Sequence, residues 1–269
     1  MQPSATKRHL NFSEYLELLE SEGELLRLDG NISGLKMAEK ASYECKTGGK
    51  ALLFERDIPI AMNLFASDHR IEKALSYGSE VFTEAVYNKI KLSDLPILKH
   101  HKGDISGSIN MGCVISGRDS GIYRIQPLSD SEAIVHCYPS STLAKKLRSG
   151  DIPVTIAIGT SPILILLSAS SSGNELDKVS CDFIDSKYHQ VPSGTQIIIN
   201  GVVSASEKRP EGPFMIYTGD YSQVEEYPLL HIESVEIIEN GIYHTLVTGK
   251  YPMESEFILK AAKSFHNNK

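Results

Sequence analysis

The sequence of 269 residues has no apolar run long enough to span a bilayer. Its longest greasy stretch, "PILILLSA" at 162–169, falls far short of the roughly 20 residues a membrane helix needs. Residues 1–11 carry Lys7 and Arg8, but no apolar segment of a secretory signal follows them. Four cysteines, Cys45, Cys113, Cys137 and Cys181, are scattered without CxxC spacing. That speaks against a zinc site or a disulfide framework, and for reduced thiols in the cytoplasm. Spare positive charge is missing too: a net charge of −7 argues against a broad nucleic-acid or anionic-membrane surface, though it leaves room for a local basic pocket. No P-loop, Rossmann fingerprint, GxSxG elbow or HExxH helix occurs, and there is no internal repeat. What is present is ordinary globular material, 41% hydrophobic and 23% charged, enough for one large core or two small ones.

"NFSEYLELLESEGELLRL" predicts a helix near the start. Asn11 can cap it, Glu14 can reach back to the cap, Phe12, Tyr15, Leu16 and Leu19 share a face, and Gly23 stops it. A second helix is predicted over 34–46, ending at Gly48-Gly49. "ALLFERDIPIAMNLF" reads as two short strands joined at Arg56-Asp57, with helices near 67–76 and 79–90. From about residue 109 the pattern turns to strands: "MGCVISG", "GIYRIQPL" and "AIVHCY". A helix at 141–149, a strand at 153–158 and the apolar 162–169 segment follow, then a serine-rich loop at 168–173. Further strands are predicted at 196–203, 213–218, 229–238 and 242–248, with Asn240-Gly241 as a hairpin turn between the last two. The fold class is α+β: a small N-terminal α/β unit over 1–108, a mostly antiparallel body over 109–256 that can close as a barrel, and a C-terminal tail over 257–269.

Two places carry candidate chemistry. In "DSGIYRIQ", strand alternation puts Ile122, Arg124 and Gln126 on one face, and Tyr123 and Ile125 on the other. An arginine sharing a face with an apolar residue either pairs with a carboxylate, binds an anion, or is simply exposed. In "RPEGPFMIYTGDYS", Glu211 lies between Pro210 and Gly212-Pro213, where the backbone has little freedom. A carboxylate fixed there can do acid/base work or form a structural ion pair. His100-His101 reads as solvated linker, and His136 as a core histidine.

With these motifs in view, the sequence resembles the UbiD family of decarboxylases, which use prenylated FMN. "FSEYLELLESEGELLRL", "TGGKALLFE", "AMNLFASDHRIEKAL", "SGIYRIQPL", "PVTIAIGTSPILILLSA", "PEGPF…TGDYS" and "IYHTLVTGKYPMES" resemble family segments in the same order. The resemblance implies an N-terminal α/β unit followed by a split β-barrel that holds the flavin. It implies catalytic roles for Arg124 and Glu211, and contacts to prenylated FMN (or FMN) from Ile122, Tyr123, Gln126, Ser168 and Ser170. The implied substrate is an unsaturated or aromatic carboxylic acid, with a flavin prenyltransferase supplying the cofactor. Nucleic acid and membrane are not expected partners.

The likeness also implies losses. A second acid of the family's loop falls on Ile216, which has no proton to give. The family's divalent metal is held at three positions: one is Asp119 here, one is Ser140, and the segment carrying the third is missing, so no metal ligands are assigned. Family members continue into a second domain where this sequence stops, so a partner subunit or a second copy is expected over the cleft. Three readings follow: a decarboxylase or related lyase, an accessory or flavin-binding subunit that needs a partner, and flavin chemistry other than decarboxylation.

Overall fold

Asn11 and Glu14 close a reciprocal cap at the start of the Phe12–Ser21 helix: the Asn11 side chain accepts from Glu14 N–H at 2.9 Å, and Glu14 Oε2 accepts from Asn11 N–H at 2.8 Å. The buried face of this helix is Phe12, Tyr15, Leu16 and Leu19, as its periodicity predicts. The structure is a computed structural model and describes residues 7–78 and 85–267. The Gly34–Lys46 helix crosses over between the parallel strands Leu25–Asp29 and Ala51–Glu55. Ile60–Met62 then pairs antiparallel with Ala51–Glu55. Ala51–Glu55 is buried almost throughout because both faces are covered. Leu52 and Phe54 pack with Met37 and Ala41, while Ala51 and Leu53 pack with Leu16 and Leu19.

The second sheet has eight antiparallel strands. Its order is Asp119–Ile122, Gly112–Ser116, Ile152–Ile158, Ile197–Glu211, Glu225–Ile238, Glu132–His136 and Arg124–Pro127, with Tyr87–Ile90 added alongside Glu225–Ile238. The strands at the two ends of that order are separated in the chain by Tyr123 alone. One residue spans only about 3.5 Å, so the sheet must curl until its ends meet. Tyr123 and Ile125 face one hydrophobic core and Ile122 packs against the other, which is the alternation read from "GIYRIQ". The Pro162–Ser170 helix is apolar all round because it is buried among its neighbours; the Glu254–Asn267 helix packs against it.

Several expectations need correction. Residues 87–90 of the helix predicted at 79–90 form a strand, since Tyr87–Ile90 takes up the free edge of Val235–Ile238; residues 85–86 are irregular, and 79–84 lie outside the described residues. No strand forms over 213–218. That segment is a pinned loop with one isolated bridge, Met215 to Tyr221. The Asn240-Gly241 turn forms, with Asn240 at φ 57°, but the chain does not fold back as a hairpin. Tyr243–His244 instead joins the first sheet, parallel to Ile60–Met62. Thus Tyr87–Ile90 lies in the second sheet and Tyr243–His244 in the first. The serine-rich stretch begins inside a helix, so Ser168 and Ser170 are helical residues. His100 is buried rather than solvated and its Nδ1 accepts from Asn110 Nδ2 at 3.3 Å, while burial lowers its pKa to about 4. Residues 257–267 of the predicted tail belong to the Glu254–Asn267 helix, and 268–269 lie outside the described residues. Among the described residues, no helix is long and apolar enough to cross a membrane, and the four cysteines are free.

Candidate active site

Glu211 is the last residue of the Ile197–Glu211 strand, and Arg124 opens the Arg124–Pro127 strand. The chain turns sharply after Glu211 because Gly212 adopts φ +88°, a conformation that disfavours side chains; a Cβ there would also meet Ser222 Oγ at 2.9 Å. Three bonds pin the turn. Gly212 N–H donates to Gln126 Oε1 at 3.0 Å, Phe214 N–H to Ser222 Oγ at 3.0 Å, and Met215 N–H to Asp104 Oδ1 at 2.9 Å. Gln126 thereby ties the glutamate loop to the arginine strand.

The two motifs meet. Arg124 Nε donates to Glu211 Oε1 at 2.5 Å and Nη2 donates to Oε2 at 2.9 Å, a bidentate pair. Glu211 is fully buried and the arginine side chain is 13% exposed, so water does little to screen the pair. The Phe214 ring lies 4.8 Å from the guanidinium carbon. Burial by itself would raise the Glu211 pKa, but the hydrogen bonds from His136 and Arg124 outweigh it and hold the group below the ordinary carboxylate value.

His136 is the residue that sequence reasoning set aside. It lies opposite Arg124 in the strand register, so the two share a face. Its Nδ1 is 3.1 Å from Glu211 Oε2 and 3.0 Å from Arg124 Nη2. Tyr227 packs on the ring at 4.2 Å and Tyr138 meets it edge-on at 5.1 Å. The only sequence signal was strand alternation in "AIVHCY", which gives a face but no partner.

The other expected residues divide. Gln126 is buried beside the pair, and its amide nitrogen has no partner among the described residues. Tyr123 is buried with its hydroxyl oxygen accepting from Leu143 N–H at 3.4 Å, and Ile122 is half-buried. Ser168 and Ser170 instead belong to the Pro162–Ser170 helix. Ser168 Oγ is 2.7 Å from Ser120 Oγ, and Ser170 Oγ donates to Leu167 O at 2.6 Å. Ile216 lies in a tight turn, with its N–H on Asp220 O, and Tyr217 stands out in solvent.

Fit to the implied groups can be tested on donor chemistry. Arg124 Nη1 and Gln126 Nε2 keep N–H groups without protein partners among the described residues, which suits the carbonyl or carboxylate oxygens of a flavin or an organic acid. A divalent cation does not fit at Asp119. Its Oδ2 is paired with Lys146 Nζ at 2.7 Å and its Oδ1 accepts from Asn174 N–H at 2.8 Å, while Ser140 is exposed. Lys146 Nζ also donates to Ser116 O at 2.5 Å, so an ammonium already neutralises this corner. Burial pushes the Asp119 pKa up, but the Asn174 N–H and Lys146 bring it below its ordinary value. Adding Mn²⁺ or EDTA is therefore expected to leave the melting temperature unchanged. An ion held at a hundred times its Kd would instead add about 2.7 kcal/mol and raise the melting temperature by several degrees.

Fold and site together define a mixed α/β protein whose polar centre is an arginine–carboxylate pair on a curled antiparallel sheet. The chain belongs to the UbiD family. The family model described as the 3-octaprenyl-4-hydroxybenzoate carboxy-lyase Rift-related domain matches residues 74–251, and its N-terminal domain matches residues 16–89. An uncharacterized protein of Archaeoglobus fulgidus is 30% identical, the match covering 93% of this chain and 66% of the relative. The vanillic acid decarboxylase of Sedimentibacter hydroxybenzoicus superposes with a TM-score of 0.81 at 20% identity, over 92% of this chain and 66% of that one. The UbiD-class enzyme HmfF from Pelotomaculum thermopropionicum, solved in complex with FMN, gives 0.80 at 20% identity, over 94% and 68%. At such identities the solved structures speak for the fold alone. The chain spans about two thirds of the length of these relatives.

Proposed function

We propose that this chain is a UbiD-type carboxy-lyase acting on an unsaturated or aromatic carboxylic acid, with Arg124 and Glu211 at its centre. The observation that carries the reading is the bidentate Arg124–Glu211 pair, fully buried on the acid side, with Nη1 of the arginine uncommitted among the described residues. Nη1 offers its N–H groups to the substrate carboxylate, and Gln126 Nε2 offers another donor beside it. At rest Glu211 is held ionised because two donors face its oxygens, which keeps Arg124 oriented and balances its charge. A prenylated flavin, when bound, supplies the electron sink for the charge left as CO₂ departs. In this reading the curled sheet serves as a split barrel, residues 109–256 form the flavin-binding body, residues 1–108 the N-terminal unit, and a flavin prenyltransferase supplies the cofactor.

A second reading, an accessory subunit completed by a partner chain or a second copy, is favoured by one observation. The cavity bounded by Ser116, Asp119, Ser120, Tyr123, Leu143 and Lys146 is about 10 Å³, room for about one water. Ser120 and Ser168 are spent on each other beside it.

The experiment is co-expression with a flavin prenyltransferase, followed by an absorbance spectrum and mass analysis of the bound cofactor. CO₂ release from a panel of aromatic and α,β-unsaturated acids is then measured. Bound prenylated flavin with CO₂ release supports the lyase. A colourless protein that also refuses added FMN overturns it in favour of the accessory reading. Plain FMN without CO₂ release points to other flavin chemistry.

A further inference from the structure

The loop position that would offer a proton holds Ile216, and no acid replaces it in contact with the pair among the described residues. What touches the second oxygen of Glu211 is a histidine ring. The distances at Nδ1 of His136 set a constraint: it lies 3.1 Å from Glu211 Oε2 and 3.0 Å from Arg124 Nη2. A guanidinium only donates and an ionised carboxylate only accepts. Nδ1 therefore cannot satisfy both neighbours at once. Carrying a proton, it donates to Glu211; bare, it accepts from Arg124. The ring itself is held, with Tyr227 packed against it at 4.2 Å, tilted by 31°, and Tyr138 edge-on at 5.1 Å, so moving the proton requires no rotation. Nε2 has no hydrogen-bond partner among the described residues, and the side chain is 14% exposed.

We propose that His136 completes a proton-handling triad with Glu211 and Arg124, supplying from the sheet the proton that the loop no longer offers. This rests on the lyase reading above. Starting from the doubly protonated ring, the Nδ1–H bond breaks, its electron pair stays on nitrogen and the ring is left neutral with its proton on Nε2, while the transferred proton forms an O–H bond on Glu211 Oε2. Arg124 Nη2 then donates to the bare Nδ1, so both sides of the transfer keep a hydrogen bond. Protonated Glu211 gives its proton to the carbon that has lost CO₂, and the triad is recharged by a proton from water. His136 is a positioning and relay residue here, since it acts through Glu211.

The test is ¹⁵N NMR of the full chain with labelled histidine rings, recorded at pH 7.5. The His136 signals are assigned by their loss in His136→Phe, which keeps an aromatic ring against Tyr227. In the unmodified protein Nδ1 is expected in the protonated range with a one-bond N–H coupling. In Glu211→Leu the coupling is lost and the signal moves to the range of a bare ring nitrogen, because Arg124 becomes its only neighbour. A bare Nδ1 in the unmodified protein overturns the triad, and that spectrum decides even if Glu211→Leu does not fold. An Nδ1 that stays protonated in folded Glu211→Leu overturns it too. FMN binding, read by flavin fluorescence on the same samples, separates the two ideas. A protonated, Glu211-dependent Nδ1 without FMN binding sinks the flavin reading and leaves the triad standing. FMN binding with a bare Nδ1 does the reverse.

Discussion

Arg124→Met is expected to lower folding stability by about 3–5 kcal/mol, because it leaves a fully buried carboxylate without its charge partner. A surface ion pair would cost less than about 1 kcal/mol on the same change. The two outcomes are far enough apart for a urea titration to distinguish. The sign of the pH dependence adds a second check. In the native protein the Glu211 pKa is depressed, so its contribution is present above the unfolded value of 4.5 and is lost as pH falls through the lowered folded value. In Arg124→Met both the hydrogen bond and the charge of the arginine are gone and only His136 still lowers the pKa, so burial gains weight and the acid is easier to protonate. The cost of the substitution is therefore expected to be smaller at pH 4 than at pH 8. Pairing it with Glu211→Leu should recover much of the loss, since an apolar pair of similar volume leaves no buried charge. A loss under about 1 kcal/mol at pH 8 would mean that the pair is solvated, and the centre of the proposed site would go with it.

Glu254 carries the second large effect, with the opposite sign. Its carboxylate, 1% exposed, opens the Glu254–Asn267 helix and accepts from Asn63 N–H at 3.1 Å and Phe65 N–H at 2.8 Å. Burial is the largest influence and raises its pKa to about 7, against the pull of those N–H groups and of Arg70. A raised acid favours the folded state fully below the unfolded value of 4.5 and loses that advantage as pH rises to about 7. At about 1.4 kcal/mol per pH unit, the change across this window is about 3 kcal/mol. His100 and His244, lowered by burial to about 4 and about 3, run the other way below their unfolded value of 6.5. The comparison with Glu254→Gln, measured by urea unfolding from pH 5 to 8, isolates the carboxylate. The variant is expected to be less stable than the native protein at pH 5, because an amide can accept only one of the two N–H groups, and the gap should narrow toward pH 8. Parallel curves would remove Glu254 as the titrating link between the last helix and residues 63–65.

The first helix was legible because everything that specifies it lies within a dozen residues: a capping pair at Asn11 and Glu14, a 3.6-residue stripe, and Gly23. Arg124 and Glu211 could be named as candidates for a similar reason. One occupied an apolar alternation and the other a stiff turn. The sequence could not say that they touch, because 87 residues separate them and contact depends on the register of several strands. The failed predictions share that cause. Tyr87–Ile90 is polar and short, and only the open edge of Val235–Ile238 makes it a strand. Asn240-Gly241 does form its turn, but Tyr243–His244 finds its partner at Ile60–Met62 rather than in the preceding strand.

The sequence by itself determined the local grammar of this protein: which segments are helix or strand, where caps and turns fall, and that an arginine and a glutamate stand in constrained settings. Capping, periodicity and turn chemistry act over a few residues, so one chain suffices to read them. Only the tertiary structure decided which groups share a site. It brought His136 to the arginine–glutamate pair, turned Ser168 and Ser170 to partners within the fold, and put Lys146 against Asp119. Those choices follow from burial. A polar group taken out of water must find a partner wherever the curled sheet brings one, and the chain order of these residues carries no record of which partner that is.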